Sequence, residues 1–127
     1  MSTLNATGDV VVGDRITFTE GVFGGSHRNP NYLGDREIVA EVIRDSYGAS
    51  KQQHTFTLRV ISSAGFDPVK VGKEIRRKGR NVYRNGVLRE TWTDESERDA
   101  VRNEKHSRGD AARFARNERK RLEEARK

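Results

Sequence analysis

The apolar side chains of this chain end, in effect, at Trp92. Residues 1–92 hold 33 of the 41 apolar residues, while residues 93–127 hold 8, five of them alanine, among 20 charges. Any core must be built by the first part, because the second has too little apolar surface to bury one alone. Within the first part the apolar residues recur at every second position. That period belongs to strands with one buried face. The expected organisation is a flexible N-terminus over residues 1–9, a small β-domain over 10–92 and a charged helical extension over 93–127.

Ile16 and Phe18 alternate with Arg15, Thr17 and Thr19. In the segment 36–45, Ile38, Ala40 and Val42 share one face and Val39 and Ile43 the other. Phe56, Leu58 and Val60 point inward between Thr55, Thr57 and Arg59. Residues 24–34 (GGSHRNPNYLG) read as a long loop, and Val69, Val71 and Ile75 as a short strand. Asn85-Gly86 is the preferred pair of a two-residue type I′ hairpin, since both positions of that turn need positive φ. Such a turn would set Tyr83 opposite Leu88 on a core face, with Arg80, Arg84 and Arg89 on an outer one. Five or six short strands without a helical period predict a mainly β fold, a small SH3-like or OB-like barrel. After Trp92 the period changes to that of a helix, with Thr93 as N-cap and Asp94, Glu95 and Glu97 in the first turn. A stripe of Ala111, Ala115, Leu122 and Ala125, bordered by Phe114, is suited to light packing on the barrel, on a partner helix or on a second copy of the chain. A chain ending at Trp92 is expected to fold.

The formal net charge is +6, and its excess is local. Residues 66–92 carry 8 basic and 3 acidic groups. A basic patch concentrates polyanions and speeds their encounter. The candidate contacts to a DNA or RNA backbone are Lys73, Arg76, Arg77, Lys78, Arg80, Arg84 and Arg89, with Arg113, Arg116 and Lys120 on the helix. Arginine pairs with phosphate bidentately. With only nine aromatic residues in the chain, and Tyr83 and Trp92 drawn inward, the expected binding is phosphate contact rather than base stacking.

Other chemistry finds little footing. The chain has no cysteine, which excludes disulfides, a thiol nucleophile and sulfur-ligated zinc. His27, His54 and His106 form no HxxxH or HExxH pair, so neither a metal nor another cofactor is expected. Asp14, Asp35, Asp45 and Asp67 sit at turns, where aspartate commonly fixes backbone geometry. Gly24–Arg28 lacks the spacing of a dinucleotide or P-loop motif and reads as a surface loop. No catalytic residue stands out, and an enzyme is not expected. No apolar run approaches a membrane span, and Met1–Asp9 is not a signal peptide, which predicts a cytoplasmic protein without membrane contact.

Three phrases carry a resemblance: Gly13-Asp14-Arg15-Ile16-Thr17-Phe18-Thr19, Gln53-His54-Thr55-Phe56-Thr57-Leu58 and Arg77-Lys78-Gly79-Arg80-Asn81-Val82-Tyr83-Arg84. With the Ala/Arg-rich tail after His106, they resemble small accessory proteins of tailed bacteriophages of high-GC bacteria. The resemblance implies a viral accessory protein in a bacterial host cytoplasm. It adds an alternative to nucleic-acid binding: an interaction protein that inhibits a host protein through its basic face and C-terminal helix.

Overall fold

In the computed structural model, residues 3–47 and 54–107 are described. They form a mainly β fold of six strands and two helical segments: β1 (Thr3–Asn5), β2 (Arg15–Gly25), β3 (Pro30–Tyr47), β4 (His54–Gly65), β5 (Glu74–Lys78), α1 (Gly79–Tyr83), β6 (Val87–Glu90) and α2 (95–107). The strands make one antiparallel sheet in the order β1-β6-β2-β3-β4-β5. Strands β2 to β5 are a meander, and the last strand returns beside the first of them, which is the SH3-like arrangement. The sheet curls like a barrel without pairing β1 to β5.

In β2, in β3 up to Val42 and in β4 the inward positions are those the alternation marks, whereas around the expected hairpin they are exchanged, with Val82 and Val87 buried and Leu88 exposed. Ile16, Phe18, Ile38, Ala40, Val42, Phe56, Leu58 and Val60 pack with Val10, Ile75, Val82 and Val87 into one core. Curvature comes from two register shifts between β3 and β4, one with Ile61 of β4 as the extra residue opposite Val39/Ala40 and one within β3 between Val42 and Arg44. A bulge places one extra residue in a strand and exchanges its faces beyond that point. Val42 is inside, Ile43 is the extra residue, Arg44 faces outward beside Thr57, and Asp45 turns inward beside Phe56.

Three local expectations are corrected. Asn85-Gly86 closes no hairpin, since β5 pairs with β4 while β6 pairs with β1 and β2. The chain must cross the end of the barrel between them, and α1 with its following turn makes that crossing. Gly86 has φ +81 and its N–H donates to Tyr83 O at 3.0 Å, whereas Asn85 is not in the left-handed region. The glycine ends a helical turn, which needs the same positive φ that a hairpin would. Val82 therefore enters the core, and Arg89 points inward rather than joining Arg80 and Arg84 outside. Residues 24–34 are largely strand, because β2 and β3 pair out to Gly25 and Pro30 and leave only 26–29 as the loop. Thr3–Asn5, read as lying outside the barrel, pairs with β6.

Helix α2 is capped by Asp94 instead of Thr93: Asp94 Oδ1 accepts the Ser96 N–H at 2.9 Å. It docks on the barrel through charge. Arg98, Arg102 and Lys105, at i, i+4 and i+7, lie on one helical face. Arg98 meets Asp14 and Asp9, Arg102 meets Asp9, and Lys105 meets Asp45. The stripe 111–125 and Phe114 lie outside the described residues.

Candidate nucleic-acid interface

The outer face of β3, β4 and β5 is organised in rows set by strand register. Glu41, Arg59 and Glu74 form one row, Arg44, Thr57 and Arg76 the next, and Ser46, Thr55 and Lys78 the third. In the first row the charges offset one another, with Arg59 Nη2 3.8 Å from Glu74 Oε1. In the other two rows Arg44, Arg76 and Lys78 are exposed and have no carboxylate partner among the described residues. Arg44 and Arg76 are two strand spacings apart, about 10 Å between Cα atoms, with Thr57 between them. Together with Ser46, Thr55 and Thr57, and with Asp45, whose side chain is buried, they line a shallow pocket. Two guanidinium groups and the Thr55 and Thr57 hydroxyls make a donor set suited to a phosphate, while Ser46 Oγ donates to the Thr55 carbonyl at 3.4 Å.

The other sequence candidates are scattered. Arg77, on the opposite face of β5, donates from Nε to Glu20 Oε2 at 2.7 Å and from Nη2 to Oε1 at 3.0 Å. Arg36 Nε donates to the same carboxylate at 2.9 Å. Burial opposes ionisation of Glu20, but the hydrogen bonds from Arg77 and Arg36 outweigh it and hold the carboxyl below its ordinary pKa. Lys73 is exposed at the approach to β5, and Arg80 and Arg84 are exposed at the two ends of the α1 turn. Arg89 is buried and grips Glu95 bidentately, at 3.1 Å and 2.7 Å. That arginine belongs to the fold. Arg113, Arg116 and Lys120 lie outside the described residues.

Arg44 was not among the candidates. It lies in a segment of near-neutral charge, and only the Ile43 bulge turns it toward the basic strand. A second omission is aromatic. Phe23, Tyr32 and Phe66 are exposed around the far ends of β2 and β3, and Tyr32 falls in the stretch 24–34 that reads as loop.

The turn aspartates do more than shape turns. Asp14 Oδ2 accepts the Val11 N–H at 2.9 Å, and its Oδ1 accepts Trp92 Nε1–H at 2.7 Å and Arg98 Nε–H at 2.9 Å. Asp45 Oδ1 lies 3.2 Å from His54 Nδ1, and its Oδ2 lies 3.4 Å from Lys105 Nζ. The Lys105 ammonium also donates to Val10 O and sits 5.2 Å from the centre of the Phe56 ring. Among the described residues no group of three or more His, Cys, Asp or Glu is placed to hold a metal ion, and no helix is long and apolar enough to cross a membrane.

A curated relative from rice (Oryza sativa subsp. japonica), "Zinc finger CCCH domain-containing protein 62", is 36% identical over 118 residues. The match covers 89% of this chain but 17% of the rice protein, so the chain spans about a sixth of that relative's length. No solved structure matches. The relative corrects the viral resemblance: similarity over nearly the whole chain points to a plant-type protein, not to a phage accessory protein. The expectation of a bacterial host target rested on that resemblance and loses its basis with it. A family model described as "Domain of unknown function (DUF7699)" matches residues 7–92. The match ends at Trp92, and the chain belongs to this family of domains.

Proposed function

We propose that this protein is a non-catalytic module that binds nucleic acid through its phosphate backbone, using the outer face of β3, β4 and β5. The observation that carries the reading is the Arg44–Thr57–Arg76 row, with Lys78 beside it: three cations without carboxylate partners among the described residues, interleaved with hydroxyls. A cation already paired inside the fold gains little from a phosphate, whereas these are available to one. Arg80, Arg84 and Lys73 extend the basic surface. The buried carboxylates Asp14 and Asp45 are engaged by Arg98 and Lys105, which supports structural roles for them.

Fluorescence anisotropy with random-sequence duplex DNA, single-stranded DNA and single-stranded RNA at two salt concentrations tests the reading. Binding tighter than about 10⁻⁴ M at low salt is expected, weakening steeply as salt rises. The Arg44→Ala/Arg76→Ala variant should reduce the slope of log K against log salt by about 2. Absence of binding at that level, or a slope unchanged in the variant, overturns it.

A further inference from the structure

Beyond Glu20 and Arg36, strands β2 and β3 leave the rest of the sheet and continue as a two-stranded arm, paired with each other from Gly21↔Asp35 to Gly25↔Pro30. Isolated two-stranded ribbons are marginal in water, so burying apolar surface would favour this one. Instead, Phe23 is 59% and Tyr32 57% exposed, opposite each other and edge to face with ring centres 5.7 Å apart. Both rings rest on the bare backbone of Gly21, where a Cβ would stand 3.0 Å from Phe23 and 3.5 Å from Tyr32. Phe66, 45% exposed, lies in the same way over Gly34. All three rings are exposed.

The charge around them selects a partner. Residues 21–34 contain no carboxylate, and the loop at the tip presents His27 and Arg28. A hydrogen bond to Asp35 holds the Tyr32 hydroxyl above its ordinary pKa. Asp67 lies 3.9 Å from Arg36, whose Nη1 also donates to the Asp67 carbonyl. An apolar protein segment would need no cation at the tip. A nucleotide brings both a flat ring and a phosphate.

We propose that the arm is a base-stacking platform, with Phe23, Tyr32 and Phe66 taking unpaired bases and Arg28 the adjoining phosphate, so that the preferred ligand is a single strand. The proposal rests on the nucleic-acid reading above and assigns the strand form that reading leaves open. Stacking is tolerant of sequence because every base has a π-face.

The test compares a labelled 15-nucleotide mixed-sequence single-stranded DNA with an abasic strand of the same length, at one salt concentration. The wild-type protein should bind the base-bearing strand at least about fivefold more tightly. Phe23→Leu/Tyr32→Leu keeps an apolar cross-strand pair but removes the π-faces, and should abolish the preference without changing abasic-strand affinity. Far-ultraviolet circular dichroism and Trp92 fluorescence check that this variant is folded. Equal wild-type affinity for the two strands overturns the proposal, as does a preference that survives in the variant. Abasic-strand binding that is lost in Arg44→Ala/Arg76→Ala would leave phosphate contact standing when the arm fails. No binding to either strand removes both.

Discussion

Arg98 and Asp14, 84 positions apart in sequence, form a two-point ion pair in which Nε and Nη2 donate to the two carboxylate oxygens at 2.9 and 3.0 Å. The side chains are 3% and 0% exposed. Asp14 is also bonded to Val11 and Trp92, so one carboxylate ties the strand entry, the end of the barrel and the helix together. Removing one member of a buried pair leaves the other charge uncompensated. Arg98→Ala should cost about 3–5 kcal/mol in urea unfolding. Asp14→Ala/Arg98→Ala should cost less than the two single changes added, with a coupling of about 0.5–3 kcal/mol.

The expectation that a chain ending at Trp92 folds unaided changes once the helix contacts are known. Truncation leaves Asp14 and Asp45 buried without Arg98 and Lys105. The truncated chain should unfold at distinctly lower urea than the full chain. Asp14→Asn/Asp45→Asn should restore part of the loss in the truncated chain, while destabilising the full one. Equal midpoints for the full and truncated chains would show that the seam adds nothing.

Acid should loosen the helix through Glu95. Its carboxyl is lowered to about 2, chiefly by the Arg89 hydrogen bonds and also by the Trp92 N–H. A depressed carboxylate pKa stabilises the folded state fully above the unfolded value, near 4.5, and the contribution disappears as pH falls through the folded one. The urea midpoint followed by Trp92 fluorescence should therefore fall between about pH 4.5 and 2. Glu95→Gln should flatten that part of the profile. A variant with the wild-type slope would place the titration elsewhere.

Glu20 holds Arg36 and Arg77 together. Glu20→Gln should lower stability by about 1.5–3 kcal/mol, the range for hydrogen bonds to charged groups. It also releases Arg77, and leaves Arg36 only its contacts with Asp67, beside Lys70 and Lys73, with which they line a pocket. Affinity for polyanions should rise and its salt dependence should steepen. Tighter binding from a less stable protein is a combination that general loss of structure would not produce.

The central parts of β2, β3 and β4 were legible because they depend on alternation alone, and Ile16, Phe18, Phe56, Leu58 and Val60 lie where that alternation puts them. Asp45 and Arg44 were not, because one extra residue at Ile43 exchanges the faces of β3 and alternation carries no mark of a bulge. Asn85-Gly86 misled because hairpin turns and helix ends both ask glycine for positive φ, and long-range pairing decides between them. Gly79 shows a similar limit: a Cβ there would overlap the His54 ring, a reason for glycine visible only across the barrel. The helix face 98/102/105 has helical spacing in plain view. Its partners Asp9, Asp14 and Asp45 are dispersed over turns and a strand, and nothing local pairs them with it.

A joint assembled from ion pairs ages differently on heating from one assembled from methyl groups. Stripping water from charged groups becomes less unfavourable as temperature rises, whereas apolar burial gains little further strength. Warming should therefore weaken the apolar contacts around Leu58 and Val60 more than it weakens the pair of Arg98 and Asp14.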